Sequence, residues 1–222
     1  MSVMARLLEA QADAARLFEA IAAERLVRPG RSERQISEDV YALAEARFGV
    51  RTHWHKRVVR AGANTLCPYR DNPPDRVVGE RDIVFLDLGP VFGRVEADFG
   101  RSFVLGDDPE MHRLVGDLAP LHAECKAFFH SHPGITGGDF FAEVKRACAA
   151  RGWSYGGPYA GHLVGDFPHE NPKSEHALNY IGDDNSKPMD APDEDGNPRY
   201  WILEIHIVHP SGQFAAFLEE ML

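Results

Sequence analysis

Four carboxylates in this chain stand inside segments that otherwise ask to be buried. Asp87 follows Ile83-Val84-Phe85-Leu86 directly, and Asp98 lies within Val95 to Val104. Glu204 interrupts Trp201-Ile202-Leu203-Glu204-Ile205, and Glu219 follows Ala216-Phe217-Leu218. An ionised carboxylate in an apolar strand is costly unless it is paired or bound to a cation. One such acid reads as a structural ion pair, whereas four read as a cluster that needs positive charge. Arg101 can neutralise one of them, and few other cations lie in these segments. An imidazole is at hand in Gly161-His162-Leu163-Val164-Gly165, a glycine-flanked stretch where a metal can approach the backbone closely. His169-Glu170 follows seven residues after His162. Oxygen-rich donor sets with one imidazole suit Mn²⁺, Fe²⁺, Co²⁺ or Zn²⁺.

These residues need strands to carry them and helices to back the strands. Leu7, Ala10, Ala14, Leu17, Phe18 and Ile21 make one apolar stripe, which predicts a helix over 3–26 ended by Pro29-Gly30. Ser32 and Gln35 form a capping-box pattern at the start of a second helix, with Ile36, Val40, Leu43, Ala44 and Phe48 inward. Residues 57–60, 83–88, 200–208 and 213–222 read as strands, and 92–105 as one or two more. Residues 111–129 read as a helix capped by Asp107 or Asp108, with Pro120 expected to kink or interrupt it. Thr136 and Asp139 cap a further helix. The Gly-, Pro- and His-rich stretch 156–172 reads as a loop crossing a site, and the acidic, Pro-rich stretch 173–199 as an insertion or lid.

The net charge of −10 argues against nucleic acid as a main partner, because phosphate binding needs a basic surface. Thr52 to Arg60 is locally basic, with His53, His55, Lys56, Arg57 and Arg60, and reads as a solvated strand edge. Cys67, Cys125 and Cys148 are too few and scattered for a disulfide framework and read as free thiols. No secretory signal pattern opens the chain and no apolar run approaches the ~20 residues needed to span a bilayer, so the cytoplasm is the expected location.

Taken in order, these segments resemble the M24 metallopeptidases, the group of methionine aminopeptidases, Xaa-Pro aminopeptidases, prolidases and creatinase. Phe85-Leu86-Asp87-Leu88-Gly89 followed by Ala97-Asp98-Phe99-Gly100-Arg101-Ser102-Phe103 is similar to that family's first metal segment, with its eleven-residue gap between the acids. Gly161-His162 through His169-Glu170-Asn171-Pro172 is similar to its histidine segment, and Ile202-Leu203-Glu204 and Phe217-Leu218-Glu219 to its two closing glutamates. The resemblance implies an α+β, pita-bread fold: a curved, mostly antiparallel sheet with helices outside and two divalent metals inside, in a single catalytic domain over 1–222. It implies that Asp98 and Glu219 bridge the metals, that Asp87 binds the second, and that His162 and Glu204 complete the first. A metal-bridging hydroxide is then the nucleophile, Glu204 carries the proton, and His169 meets the substrate carbonyl or the developing oxyanion. The implied substrate is a peptide of Xaa-Pro dipeptidase or aminopeptidase type, and a homodimer is possible within the family.

His206 shares a strand face with Glu204 and is a candidate for the pocket wall or a core position. Relatives place a histidine that contacts substrate seventeen or eighteen residues before the first Asp; here those positions are Arg70 and Tyr69. His53 and His55 lie more than thirty residues before Asp87 and match that pattern poorly. Tyr69 therefore stands as a candidate substrate contact. Two rival readings remain: a creatinase-like C–N hydrolase acting on a small amide, and a binding module on the same fold without catalysis.

Overall fold

The computed structural model of the protein describes residues 1–167 and 176–222. Helix α1 (Val3–Ala23) buries the predicted stripe from Leu7 to Ile21. It stops short of Pro29 because Arg25 takes a left-handed φ of 52° and turns the chain. Helix α2 (Glu33–Phe48) starts at the Ser32/Gln35 capping box and ends at Gly49, whose φ of 67° suits a residue without Cβ.

Strands β1 (Val58–Ala61), β2 (Ile83–Leu88), β3 (Val91–Phe92), β4 (Val95–Glu96) and β5 (Phe99–Val104) come next. Helices α3 (Pro109–Ser131) and α4 (Gly137–Ala150) follow, then β6 (Ser154–Tyr155), β7 (Leu163–Val164), β8 (Tyr200–Val208) and β9 (Ala215–Met221). The main sheet runs β1-β2-β5-β9-β8-β6, with β7 added against β8, and all its pairings are antiparallel. The short β3–β4 hairpin forms the tip between β2 and β5. It explains the gap between the two Asp: the chain leaves the site at Asp87, turns through the tip, and returns at Asp98.

Two helices back each half of the sheet. Val84, Leu86 and Leu88 pack with the apolar faces of α1 and α2. Leu203, Ile205, Ile207, Ala216 and Leu218 pack with those of α3 and α4. Side chains alternate across a strand, so Phe85, Asp87, Glu204, His206, Phe217 and Glu219 are left for the opposite face. The helices drive this arrangement by burying one face of each strand, and the acids take the face the helices do not cover.

The structure changes or sharpens three expectations. Helix α3 runs through Pro120 without interruption, because Pro120 and Gly116 both face solvent, where water can take the hydrogen bond that proline cannot make. The described part of the 173–199 stretch, read from the sequence as an insertion or lid, is tied to the body of the fold. Ile181 and Met189 are buried in the core of α3 and α4, and Met189 N donates to Ile135 O at 2.9 Å. The third concerns Thr52 to Arg60, which is not a solvated edge. β1 is an edge strand, yet all four of its residues are buried, and the side chain of His55 is only 7% exposed. No helix among the described residues is long and apolar enough to cross a membrane.

Candidate metal centre

The sheet register sets three of the four acids in a single row. Val58 pairs with Asp87, Asp87 with Gly100, Gly100 with Glu219, and Glu219 with Glu204, crossing β1, β2, β5, β9 and β8. Gly100 has a structural part here: a Cβ at that position would stand 2.7 Å from Phe217 Cδ1 and 3.1 Å from Glu219 Cβ. Its missing side chain gives Phe217 and Glu219 their places on the inner face. Asp98, just before β5, is 3% exposed and adds the fourth carboxylate.

Two imidazoles close on Asp98 from opposite sides. His162 Nε2 lies 3.0 Å from Asp98 Oδ2, 3.9 Å from Glu219 Oε1 and 4.0 Å from Glu204 Oε1. His55 Nε2 lies 3.1 Å from Asp98 Oδ1 and 3.4 Å from Asp87 Oδ1. The structure thus brings together Asp87, Asp98, His162, Glu204 and Glu219, all five residues of the expected set. It adds His55, which sequence spacing set aside. The Arg101 guanidinium pairs with Glu220 and with the carbonyls of Gly100 and Glu219, and the charge of Glu219 also acts on it.

Charge in the cluster is unbalanced. Burial, against the pull of His162 and with the push of Asp87 and Asp98, raises the Glu204 carboxyl to about 8. Burial likewise lifts Asp87 to about 6, with His55 opposing, and holds Glu219 well above the usual range, with Asp98 and Asp87 adding to it. Only Asp98 goes the other way: burial opposes its charge, but His55 and His162 more than compensate and hold it low. Burial also works against charge on the imidazoles, yet Asp87 and Asp98 hold His55 up to about 9, and Asp98 does the same for His162.

Glu219 Oε2 is buried without a hydrogen-bond partner among the described residues. An orphaned carboxylate oxygen costs free energy in a low-dielectric site, and a cation there removes the cost. Ligand atoms of Asp98, His162 and Glu219 lie within 4.8 Å of one another, and so do those of His55, Asp87 and Asp98. These are two triads of hard oxygen and imidazole nitrogen sharing one carboxylate, a donor set that fits divalent metals.

The row floors a cleft of about 620 Å³. Val58, Phe85 and Phe217 form an apolar wall beside Asp87 and Glu219. Tyr69, Arg70 and, from the anchored 176–199 stretch, Tyr180 also line the cleft. His206 lines the cleft but is only 5% exposed; its Nε2–H donates to Thr65 O at 2.9 Å, and burial lowers its pKa. His169 lies outside the described residues.

What places His55 is a contact of its neighbour Trp54 with Gly89 and Ala97. The Trp54 backbone N donates to Gly89 O at 2.9 Å, and the Trp54 indole N–H to Ala97 O at 3.0 Å. Both tie the histidine loop to the metal segment, but nothing local in the sequence announces that contact across the fold.

The family model for metallopeptidase family M24 matches residues 5–221. The Xaa-Pro dipeptidase of Pyrococcus horikoshii is 26% identical over 145 residues, which cover 65% of this chain and 40% of that protein. Among solved structures, a dipeptidase from Pyrococcus horikoshii aligns with a TM-score of 0.74 at 22% identity, over 97% of this chain and 55% of that one. An X-Pro aminopeptidase from Thermotoga maritima aligns at 0.73 and 20%, over 98% and 57%. A methionine aminopeptidase from Thermotoga maritima aligns at 0.67 and 17%, over 96% and 88%. The chain therefore spans about half the length of the dipeptidase and X-Pro aminopeptidase structures and most of the methionine aminopeptidase. The structural likenesses establish the shared pita-bread fold, and with the family match they show that this chain belongs to metallopeptidase family M24.

Proposed function

We propose that this chain is a dinuclear metal-dependent peptidase of Xaa-Pro dipeptidase or aminopeptidase type. The observation that carries the reading is the pair of donor triads sharing Asp98, together with the buried Glu219 oxygen that has no hydrogen-bond partner among the described residues. Asp87, Asp98, His162, Glu204 and Glu219 would hold the metals. When bound, the metals would supply an activated water and polarise the scissile carbonyl.

The remaining work falls to side chains. Glu204 has the most exposed of the four carboxylates, at 25% for its side chain, so it faces the cleft and suits proton transfer to the leaving amine. The wall of Val58, Phe85 and Phe217 is suited to an apolar side chain or a proline ring beside the acids and keeps water from that side. Arg70 lines the cleft and brings positive charge to it. That charge fits a peptide with a free C-terminal carboxylate. His169 keeps its proposed role at the substrate carbonyl.

The test is metal content of the purified protein, before and after loading with Mn²⁺ or Co²⁺, with Asp98→Asn and Glu219→Gln beside wild type. Hydrolysis of Xaa-Pro dipeptides, longer N-terminal peptides and small non-peptide amides follows. About two metals per chain, lost in the variants, with cleavage of Xaa-Pro bonds supports the reading. Cleavage of small amides alone favours the creatinase-like alternative, which Tyr69 at the usual histidine position keeps open. Absence of metal under every loading condition returns the chain to a binding module.

A further inference from the structure

We propose that His55 is a metal ligand through Nε2, on the Asp87 side of the centre, so that each of the two metals carries one imidazole. The assignment rests on the two-metal reading above and extends its ligand set.

The argument starts with tautomer and direction. A ligating imidazole needs one nitrogen bare and aimed at the metal, and the other is normally fixed by a hydrogen bond. His162 meets this condition: its Nδ1–H donates to the Leu163 carbonyl at 2.7 Å, leaving Nε2 for the acids. His55 repeats it, with Nδ1–H donating to the Lys56 carbonyl at 2.6 Å and Nε2 facing Asp87 and Asp98. Each histidine is pinned by the carbonyl of its own next residue, and each addresses a different oxygen of Asp98. A carboxylate that faces one imidazole per oxygen is arranged to bridge two cations.

The fold also makes room for this ring. A Cβ on Gly89 would stand 2.5 Å from His55 Nε2 and 2.6 Å from Trp54 Nε1. Glycine directly after the Asp87 strand is therefore what admits the imidazole to the site. Trp54 packs edge-on against His55, with centroids 4.5 Å apart, and lies 5.5 Å from the His162 ring, so one indole braces both. Both imidazoles therefore present Nε2 to the acids on the same scheme, and a metal binding there would take the place of the Nε2 proton.

The consequence is a more nitrogen-rich centre than five ligands give. Imidazole on both sides favours the later divalent metals, Co²⁺ and Zn²⁺, over Mn²⁺.

Co²⁺ is the probe, with the full chain loaded to saturation and examined by proton NMR and by equilibrium dialysis with elemental analysis. An imidazole N–H on a Co²⁺ ligand gives a strongly shifted, solvent-exchangeable signal. Wild type is expected to bind two Co²⁺ and show one such signal more than His55→Gln. In His55→Gln one Co²⁺ should bind at least ~100-fold more weakly, beyond the range seen when only a ligand's supporting partner is lost. Two Co²⁺ at wild-type affinity with an unchanged set of shifted signals in His55→Gln would overturn the assignment. Should the variant fail to fold by circular dichroism, wild type still decides: a single shifted imidazole signal in the two-cobalt protein refutes a second histidine ligand. Absence of Co²⁺ from wild type refutes the two-metal reading itself and takes the assignment with it, an outcome distinct from loss of one site alone.

Discussion

Replacing Gly161 with alanine should be among the most damaging single-atom-group additions to this protein. Its φ is +131°, a conformation that L side chains rarely adopt. A Cβ there would collide with the carbonyl oxygen of Ile202 and stand 2.9 Å from its carbonyl carbon. Those are backbone atoms of β8, which cannot turn aside as a side chain can. Relief requires residues 160–162 to lift from β8, breaking Ile202 N–His162 O at 2.9 Å and Glu204 N–Ala160 O at 3.0 Å. Net loss is ~0.5–1.5 kcal/mol for each of the two bonds, and the dihedral strain is ~1–3 kcal/mol. The expected destabilisation is therefore about 2–6 kcal/mol, out of the ~5–15 kcal/mol that holds a typical domain. Urea unfolding of the metal-free protein measures it. Gly196→Ala is the control, because Gly196 has a φ of +85° but open space around its Cβ position, so it reports the dihedral cost alone. Equal losses in the two variants, within about 0.5 kcal/mol, would refute the close approach of the His162 segment to β8.

The metal-free protein should also lose stability as pH rises from about 4.5, the ordinary value for Glu204, to about 9, the folded value of the two histidines. Glu204, raised to about 8, and His55 and His162, raised to about 9, all bind their protons more tightly folded than unfolded. Their contribution is complete below the unfolded pKa values and disappears as pH passes the folded ones; Asp98, held low, contributes in the opposite sense at acid pH. Urea midpoints across that range, with and without Co²⁺, check this, and a flat metal-free profile would contradict it. His169→Ala should leave metal uptake unchanged but lower kcat by ~10²-fold or more if it stabilises the oxyanion. Full turnover in that variant would remove His169 from the mechanism.

Much of the fold could be read along the chain because it depends on local pattern. The apolar stripe of α1, the Ser32 capping box and the continuous run 83–88 carry their own spacing, and each appears where that spacing put it. The acids were legible for the same reason, since a carboxylate inside an apolar strand is anomalous wherever the strand goes. Non-local contact decided the rest. The row joining Asp87, Gly100, Glu219 and Glu204 depends on register between strands distant in sequence, which no single segment encodes. His55 looked like part of a charged surface stretch because its neighbours are polar; its burial follows from the Trp54–Gly89 contact and the space a missing Cβ leaves. Gly161 was legible as special, and the structure adds a reason the sequence did not show: it gives room to the β8 backbone. Sequence by itself therefore determined which residues could not tolerate water or each other's charge. Only the tertiary structure decided which of them meet, because meeting depends on register and on steric room between segments that the chain brings together last.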